Sequence, residues 1–280
     1  MQTGQPSRTA LSAAAHRATH QVVEGGRIFA DPLALRILGP DAEAIVAQMA
    51  AQPQRRGMRL FIAARTRFAE DALAEAAARG VRQLVVLGAG LDTFAYRNPF
   101  ETTGLKVFEV DHAATQAWKR RRLADAGLTP PPSLTYTPVD FERSTLAEGL
   151  AAAGFAADQP SFFTWAGVVP YLTREAVLAT LGYIVSLPGG AEVTFDYSDP
   201  PATLPPDQRT AQAERAEAVA AAGEPWLTYF APGELAAELR RLGFTEIEDL
   251  GPAQIAARYF GVAGSDRTKG GHLLRALRTV

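Results

Sequence analysis

The chain has 280 residues, 47% of them hydrophobic, and a formal net charge of −2. That is enough for one large core with additions or for two unequal ones, and the balanced charge speaks against nucleic acid or an anionic membrane as a main partner. The absence of cysteine excludes disulfides, thiolate catalysis and cysteine-ligated zinc.

Residues 8–79 read as helical, in three stretches: ALSAAAHRATHQVV, DPLALRILG and GMRLFIAARTRFAEDALAEAAARG, the last closed by Gly80. The expected organisation is a helical cap over 1–79 and a core over 80–280. Strand and helix signals then alternate through QLVVLG, a helix after Asp92, LKVFEVD, AATQAWKRRRLADAG, a short strand near LTYTPVD, STLAEGLAAAG, SFFTWAGVV, TREAVLATLGYIVSL and AEVTFDYSD. This is the rhythm of an α/β fold built on a doubly wound, mostly parallel sheet. After Asp199 a proline-rich linker leads into QRTAQAERAEAVAAAG, which has few residues to anchor it. It is expected to be a helical lid, inserted over about 200–230. PGELAAELRRLGF, TEIEDLG, PAQIAARYF and HLLRALR complete a seven-stranded sheet with an antiparallel hairpin. No run reaches the roughly 18 apolar residues of a membrane span, and the first residues lack a signal peptide's apolar stretch. A cytoplasmic protein without membrane or nucleic-acid partners is the expectation.

Two strand ends carry chemistry. In VVLGAGLDTFAYR a buried parallel strand breaks on Gly88 and Gly90, which let backbone and ligand approach closely and allow positive φ. The third glycine of the dinucleotide fingerprint is replaced by Thr93, which disfavours a pyrophosphate. KVFEVD ends on Asp111, about 20 residues beyond the first glycine, where right-handed crossover sets a carboxylate beside the turn. Such a carboxylate accepts both hydroxyls of a ribose through charge-assisted hydrogen bonds of roughly 1.5 to 3 kcal/mol each. Glu109, two residues earlier, shares its face. These features say nucleoside, whether in NAD or in S-adenosylmethionine. His16, His20 and Glu24 recur at helical spacing, but nothing completes a ligand set, and no metal is expected.

With the flanking blocks ARTRFAED, VFEVDHAATQAWKRRRL, YTPVDF, FFTWAGVVPYLTREAVLATL and FDYSDP in this order, the chain resembles the leucine carboxyl methyltransferase family from about Ser12 onward. The resemblance implies a class I S-adenosylmethionine-dependent methyltransferase fold and O-methylation of a carboxylate or hydroxyl on a small molecule, as in bacterial enzymes of polyketide and other secondary metabolism. Carried over by position, Gly88 and Gly90 lie under the methionine and ribose parts of the cofactor, and Asp111 holds the ribose. Asp140 and Phe141 frame the adenine, and Arg65 takes the cofactor's carboxylate, with Arg67 as the fallback. Where relatives usually read Glu-Gly, this chain has Ala166 and Gly167. Trp165, Tyr171, Tyr197, Trp226 and Tyr229 are candidates for the acceptor pocket. No residue stands out as a general base, and a homodimer is left open. Two rival classes remain: a binding protein of the same fold without catalysis, and an NAD-linked oxidoreductase.

Overall fold

Alanine shapes the first layer. The structure is a computed structural model that describes residues 7–140, 143–221, 223–262 and 268–279. Helix α1 (Arg8–Val23) starts where the Ser7 hydroxyl accepts the Ala10 N–H at 3.1 Å, an N-cap of the kind serine favours. Its buried Ala14 and Ala18 let it lie close against Ile37, Leu38 and Leu91. DPLALRILG forms turns and a short 3₁₀ stretch at Arg36–Asp41, not a regular helix, because Gly39 takes φ +70° and Pro40 follows it. Helices α2 (Ala42–Ala50) and α3 (Arg56–Ala78) complete this layer. At the end of α3 the N–H groups of Gly80 and Val81 return to the carbonyls of Ala77 and Ala76, both at 3.1 Å, with Gly80 at φ +103°.

The sheet begins with β1 (Gln83–Leu87), buried along its whole length. The helix expected after Asp92 is replaced by two 3₁₀ turns, Phe94–Arg97 and Glu101–Thr103. Pro99 keeps Asn98 extended, at ψ 108°, and so blocks helix propagation. Then come β2 (Lys106–Asp111), α4 (Ala113–Asp125), β3 (Leu134–Pro138), α5 (Leu146–Ala152), β4 (Ser161–Trp165), α6 (Arg174–Ser186) and β5 (Ala191–Ser198). α5 opens on a full capping box between Thr145 and Glu148. α7 (Pro206–Ala221) buries only Gln212 among its described residues. α8 (Pro232–Leu242), β6 (Glu246–Leu250), α9 (Pro252–Phe260) and β7 (Gly271–Arg278) finish the chain.

The strand order is β3-β2-β1-β4-β5-β7-β6, with β1 to β5 parallel and β7 antiparallel to both its neighbours. The last two strands pair as expected but are joined through α9, so they are not a hairpin. Alternation along β1 sends Val85 and Leu87 into the core under α5, α6 and α8, and Leu84 and Val86 into the core under α3. Fully burying a side chain such as Phe68 or Leu73 of α3, each 2% exposed, stabilises by about 1.5–3 kcal/mol. β1 lies between β2 and β4, where the chain reverses its direction of travel across the sheet. The crevice beyond the carboxyl ends of these strands is where open α/β sheets bind ligands. Among the described residues, no helix is long and apolar enough to cross a membrane.

Candidate functional site

Both glycines of the turn have positive φ, +64° at Gly88 and +46° at Gly90. Each is also tightly covered. A Cβ on Gly88 would lie 2.5 Å from Val168 Cγ2, and one on Gly90 would lie 2.9 Å from Ala10 Cβ. The turn is therefore roofed by the residue after Gly167 on one side and by the first turns of α1 on the other. Arg17 of α1 ties this roof down by donating to the Leu91 carbonyl at 2.6 Å.

Asp111 reaches the turn directly. Its Oδ2 accepts the Gly90 N–H at 2.6 Å and its Oδ1 accepts the His112 N–H at 2.7 Å. Burial pushes the Asp111 carboxyl up, and these two N–H groups work against that shift. The segment after β3 runs beside it, with the Val139 N–H donating to the Asp111 carbonyl at 3.1 Å. Asp140 follows, its own carbonyl accepting from Arg143 and Ser144 at 2.9 and 2.8 Å. Phe141 lies outside the described residues. His112 caps α4 by accepting the Ala114 N–H on Nδ1.

On the β4 side, Arg65 of α3 and Asp196 of β5 form an ion pair at 3.0 Å, with 14% and 8% of their side chains exposed. The other Asp196 oxygen accepts the Gly167 N–H at 2.5 Å. A Cβ on Gly167 would sit 2.6 Å from Arg65 Nη1, so glycine is what allows the guanidinium to lie against this backbone. Arg65 Nε is buried without a partner among the described residues. A cavity of about 10 Å³ touches Arg65, Ala166 and Thr194. Arg67, the fallback, is half exposed and pairs with Asp71 along its own helix, whereas Arg65 lies against Gly167.

The aromatic candidates separate into two groups. Trp165 is core, 3% exposed and edge-on to Phe195 at 6.3 Å. Tyr197 is core as well; its ring stacks on His272 at 4.7 Å and its hydroxyl donates to Asp249. Neither opens on the turn, because odd-numbered positions of β4 and β5 face the apolar layer under α6. Tyr171, by contrast, lies in the field of Arg65, Asp196 and Glu224, with the Trp226 indole against its hydroxyl, and burial raises its pKa. Tyr229 is half-buried nearby in sequence, ahead of the core residue Phe230. The segment carrying Trp226 is anchored by Leu227 and Thr228 N–H groups donating to the Pro170 carbonyl.

The histidine line on α1 resolves into a helix–helix clasp. His20 Nδ1 is 3.2 Å from Glu24, and Glu24 is held by two arms of Arg59 at 2.7 and 2.8 Å. His16 stands apart from this clasp. It is 4% exposed, and burial plus the fields of Arg55, Arg59 and Arg65 lower its pKa to about 4, so the ring is neutral at neutral pH.

Sequence reading missed Asp196, Val168 and the roof residues Ala10 and Arg17. A signal for Asp196 was present: Glu192, Thr194 and Asp196 put polar groups on alternate positions of a strand that is otherwise apolar.

The model of a family described as leucine carboxyl methyltransferase matches residues 10–185. A Bacillus subtilis protein provisionally named the S-adenosyl-L-methionine-dependent methyltransferase YktD is 35% identical over 198 residues, covering 70% of this chain and 65% of its own. A Mycolicibacterium paratuberculosis protein provisionally given the same activity in its name is 36% identical over 182 residues, covering 60% and 56%. The chain thus matches less than two thirds of the length of these relatives. Among solved structures, a protein of Thermobifida fusca, provisionally described as a methyltransferase, superposes with a TM-score of 0.60 at 17% identity over 100% of this chain and 97% of that one. That likeness speaks for the fold.

Proposed function

The chain belongs to the leucine carboxyl methyltransferase family, and we propose that it is an S-adenosylmethionine-dependent methyltransferase acting on a carboxylate or hydroxyl of a small molecule. One observation carries this reading: a carboxylate, Asp111, is held 2.6 Å from the amide of a glycine turn at the switch point of a doubly wound sheet. The surrounding polar groups fit the same guest. Asp111 has acceptor sites beyond the two it uses, which suits the two hydroxyls of a ribose, and the buried, unpartnered Nε of Arg65 suits a carboxylate. When bound, S-adenosylmethionine supplies an electrophilic methyl group on a sulfonium sulfur.

The residues of this chain act by placing and enclosing. Asp111 fixes the sugar, the glycine turn holds that carboxylate through the Gly90 N–H, and Arg65 holds the amino-acid end. Alignment of donor and acceptor contributes on the order of 7–11 kcal/mol to such reactions. Tyr171 and Trp226, drawn together beside Arg65 and Asp196, supply aromatic walls for an acceptor and help to exclude water. A carboxylate acceptor attacks in its ionised form and needs no proton removed. A phenol or alcohol gains from a base. Family resemblance supports a small acid or phenol of secondary metabolism as acceptor, and the cysteine-free composition supports a cytoplasmic setting.

Calorimetry with S-adenosylmethionine and with NAD tests the cofactor: binding of the first alone is expected, and heat only with NAD ends the methyltransferase reading. Transfer of a labelled methyl group over a panel of acids, phenols and alcohols then tests the acceptor. Cofactor binding without turnover on any of them favours a binding protein over an enzyme.

A further inference from the structure

We infer that Arg65 and Asp196 act together as a clamp for an α-amino acid, Arg65 receiving the carboxylate and Asp196 the ammonium group of the cofactor's methionine end. The inference rests on the methyltransferase reading and goes beyond it, because Asp196 has so far figured only as a neighbour of Arg65.

Position comes first. Asp196 stands on the face of β5 that looks toward α3, and its Oδ1 takes the Gly167 N–H at 2.5 Å. The next residue, Val168, is the one packed over Gly88. One hydrogen bond and one peptide unit therefore link this carboxylate to the glycine turn. The register pairs Trp165 with Phe195, so Ala166 comes next beside Asp196. A methyl group at 166 leaves Asp196 without a like-charged neighbour at that point of the sheet edge.

Charge balance comes second. Arg65 and Asp196 are largely buried, and they neutralise one another at 3.0 Å. A lone carboxylate or a lone amine entering here would leave one of the two charges uncompensated in a poorly solvated place, which is costly. A zwitterion would not. Carrying both signs a few ångströms apart, it exchanges one ion pair for two and keeps the net charge of the site at zero. Arg65 has donors to spare for this exchange, since its Nε is buried with no partner among the described residues. An α-amino acid is the common ligand group with those two charges at that spacing.

The test compares S-adenosylhomocysteine, which has the amino-acid end, with 5′-methylthioadenosine, which lacks it, by calorimetry on the full chain. For Asp196→Asn, which keeps an acceptor for Gly167 but removes the charge, S-adenosylhomocysteine is expected to bind at least tenfold more weakly. Methylthioadenosine is expected to change by less than twofold. Asp196→Glu should restore part of the loss. Equal weakening of both ligands, or no weakening of either, overturns the clamp. The wild-type chain gives a second reading that does not depend on a variant folding: an S-adenosylhomocysteine analogue with hydrogen in place of the α-amino group should bind at least tenfold more weakly, and equal affinity overturns the clamp. Should the wild type bind neither nucleoside, the methyltransferase reading itself fails, which is a separate result.

Discussion

At the far edge of the sheet Asp199, Asp249 and His272 hold one another through side-chain bonds, whereas the Asp111 carboxylate at the glycine turn is bonded to backbone N–H groups. His272 gives one ring nitrogen to Asp249 at 2.9 Å and the other to Asp199 at 3.1 Å. Asp199 also takes the Gly270 N–H at 3.0 Å and Lys269 at 3.3 Å, and Asp249 takes the Tyr197 hydroxyl. Asp111 accepts two backbone N–H groups and has lone pairs left over. Both regions bury charge near strand ends, so burial alone does not mark a binding site. What differs is the partner, side chains that lock one another at the edge and backbone amides at the turn. A closed network should report on folding when it is cut, and an open one should report on ligand.

The most deeply buried ion pair of the molecule's described residues gives the largest expected effect. Lys119 donates to Glu109 at 2.6 Å with both side chains at 1% exposure or less. Lys119→Met is expected to cost about 3–5 kcal/mol in urea unfolding at pH 8, because it strands a buried charge. Burial raises Glu109 to about 7, above its ordinary 4.5. A raised folded value favours the fold below the ordinary value and loses that contribution as pH climbs through it. The cost of Lys119→Met should therefore shrink by pH 5, where Glu109 takes up a proton. An equal cost at both pH values would show that packing, not charge, is lost.

His272→Gln cuts the edge network next, and about 1–3 kcal/mol of stability should go with it. Burial pulls the His272 pKa down, but the Asp249 and Asp199 carboxylates outweigh it and the net shift is upward. The imidazolium thus stabilises fully below its usual value of 6.5 and stops doing so as pH rises through the raised one. The gap between wild type and variant should narrow in that direction, with S-adenosylhomocysteine affinity unchanged throughout. A loss of affinity as large as the loss of stability would erase the distinction between the two regions.

Asp111→Asn should behave in the opposite way. Affinity for S-adenosylhomocysteine is expected to fall at least tenfold, about 1.4 kcal/mol, and affinity for adenosine alone is expected to fall with it, whereas His272→Gln leaves both unchanged. Unchanged affinity would remove Asp111 from the ribose site. The smallest effect belongs to Arg67→Ala, whose ion pair is solvated and should be worth less than about 0.5 kcal/mol, with no change in binding.

What could be read from the sequence was what is local. The apolar run Leu84–Leu87, the glycines after it and the acid that closes KVFEVD are each decided within a few residues, and all three stand where expected. After Asp92 the polar and apolar spacing resembles a helix, and Pro99 decides against it. The contact between Arg65 and Asp196 spans 131 residues and depends on α3 lying across β5, which no short window contains. Trp165 and Tyr197 stand at strand ends, where pocket walls are expected, but the two-residue period of a strand sends them to the opposite face from Asp196. His16 looked like one of a row, and only packing separates it from His20 and Glu24.

Ala10 rests on Gly90, and one residue earlier the Thr9 amide is held by Glu224 at 3.1 Å. The opening turn of the first helix is thus a doorpost of the glycine turn. A bulkier residue at position 10 would therefore press on the glycine turn, whereas the end of the last strand, where Arg278 donates to the Val185 carbonyl at 2.6 Å, lies at the opposite end of the sheet.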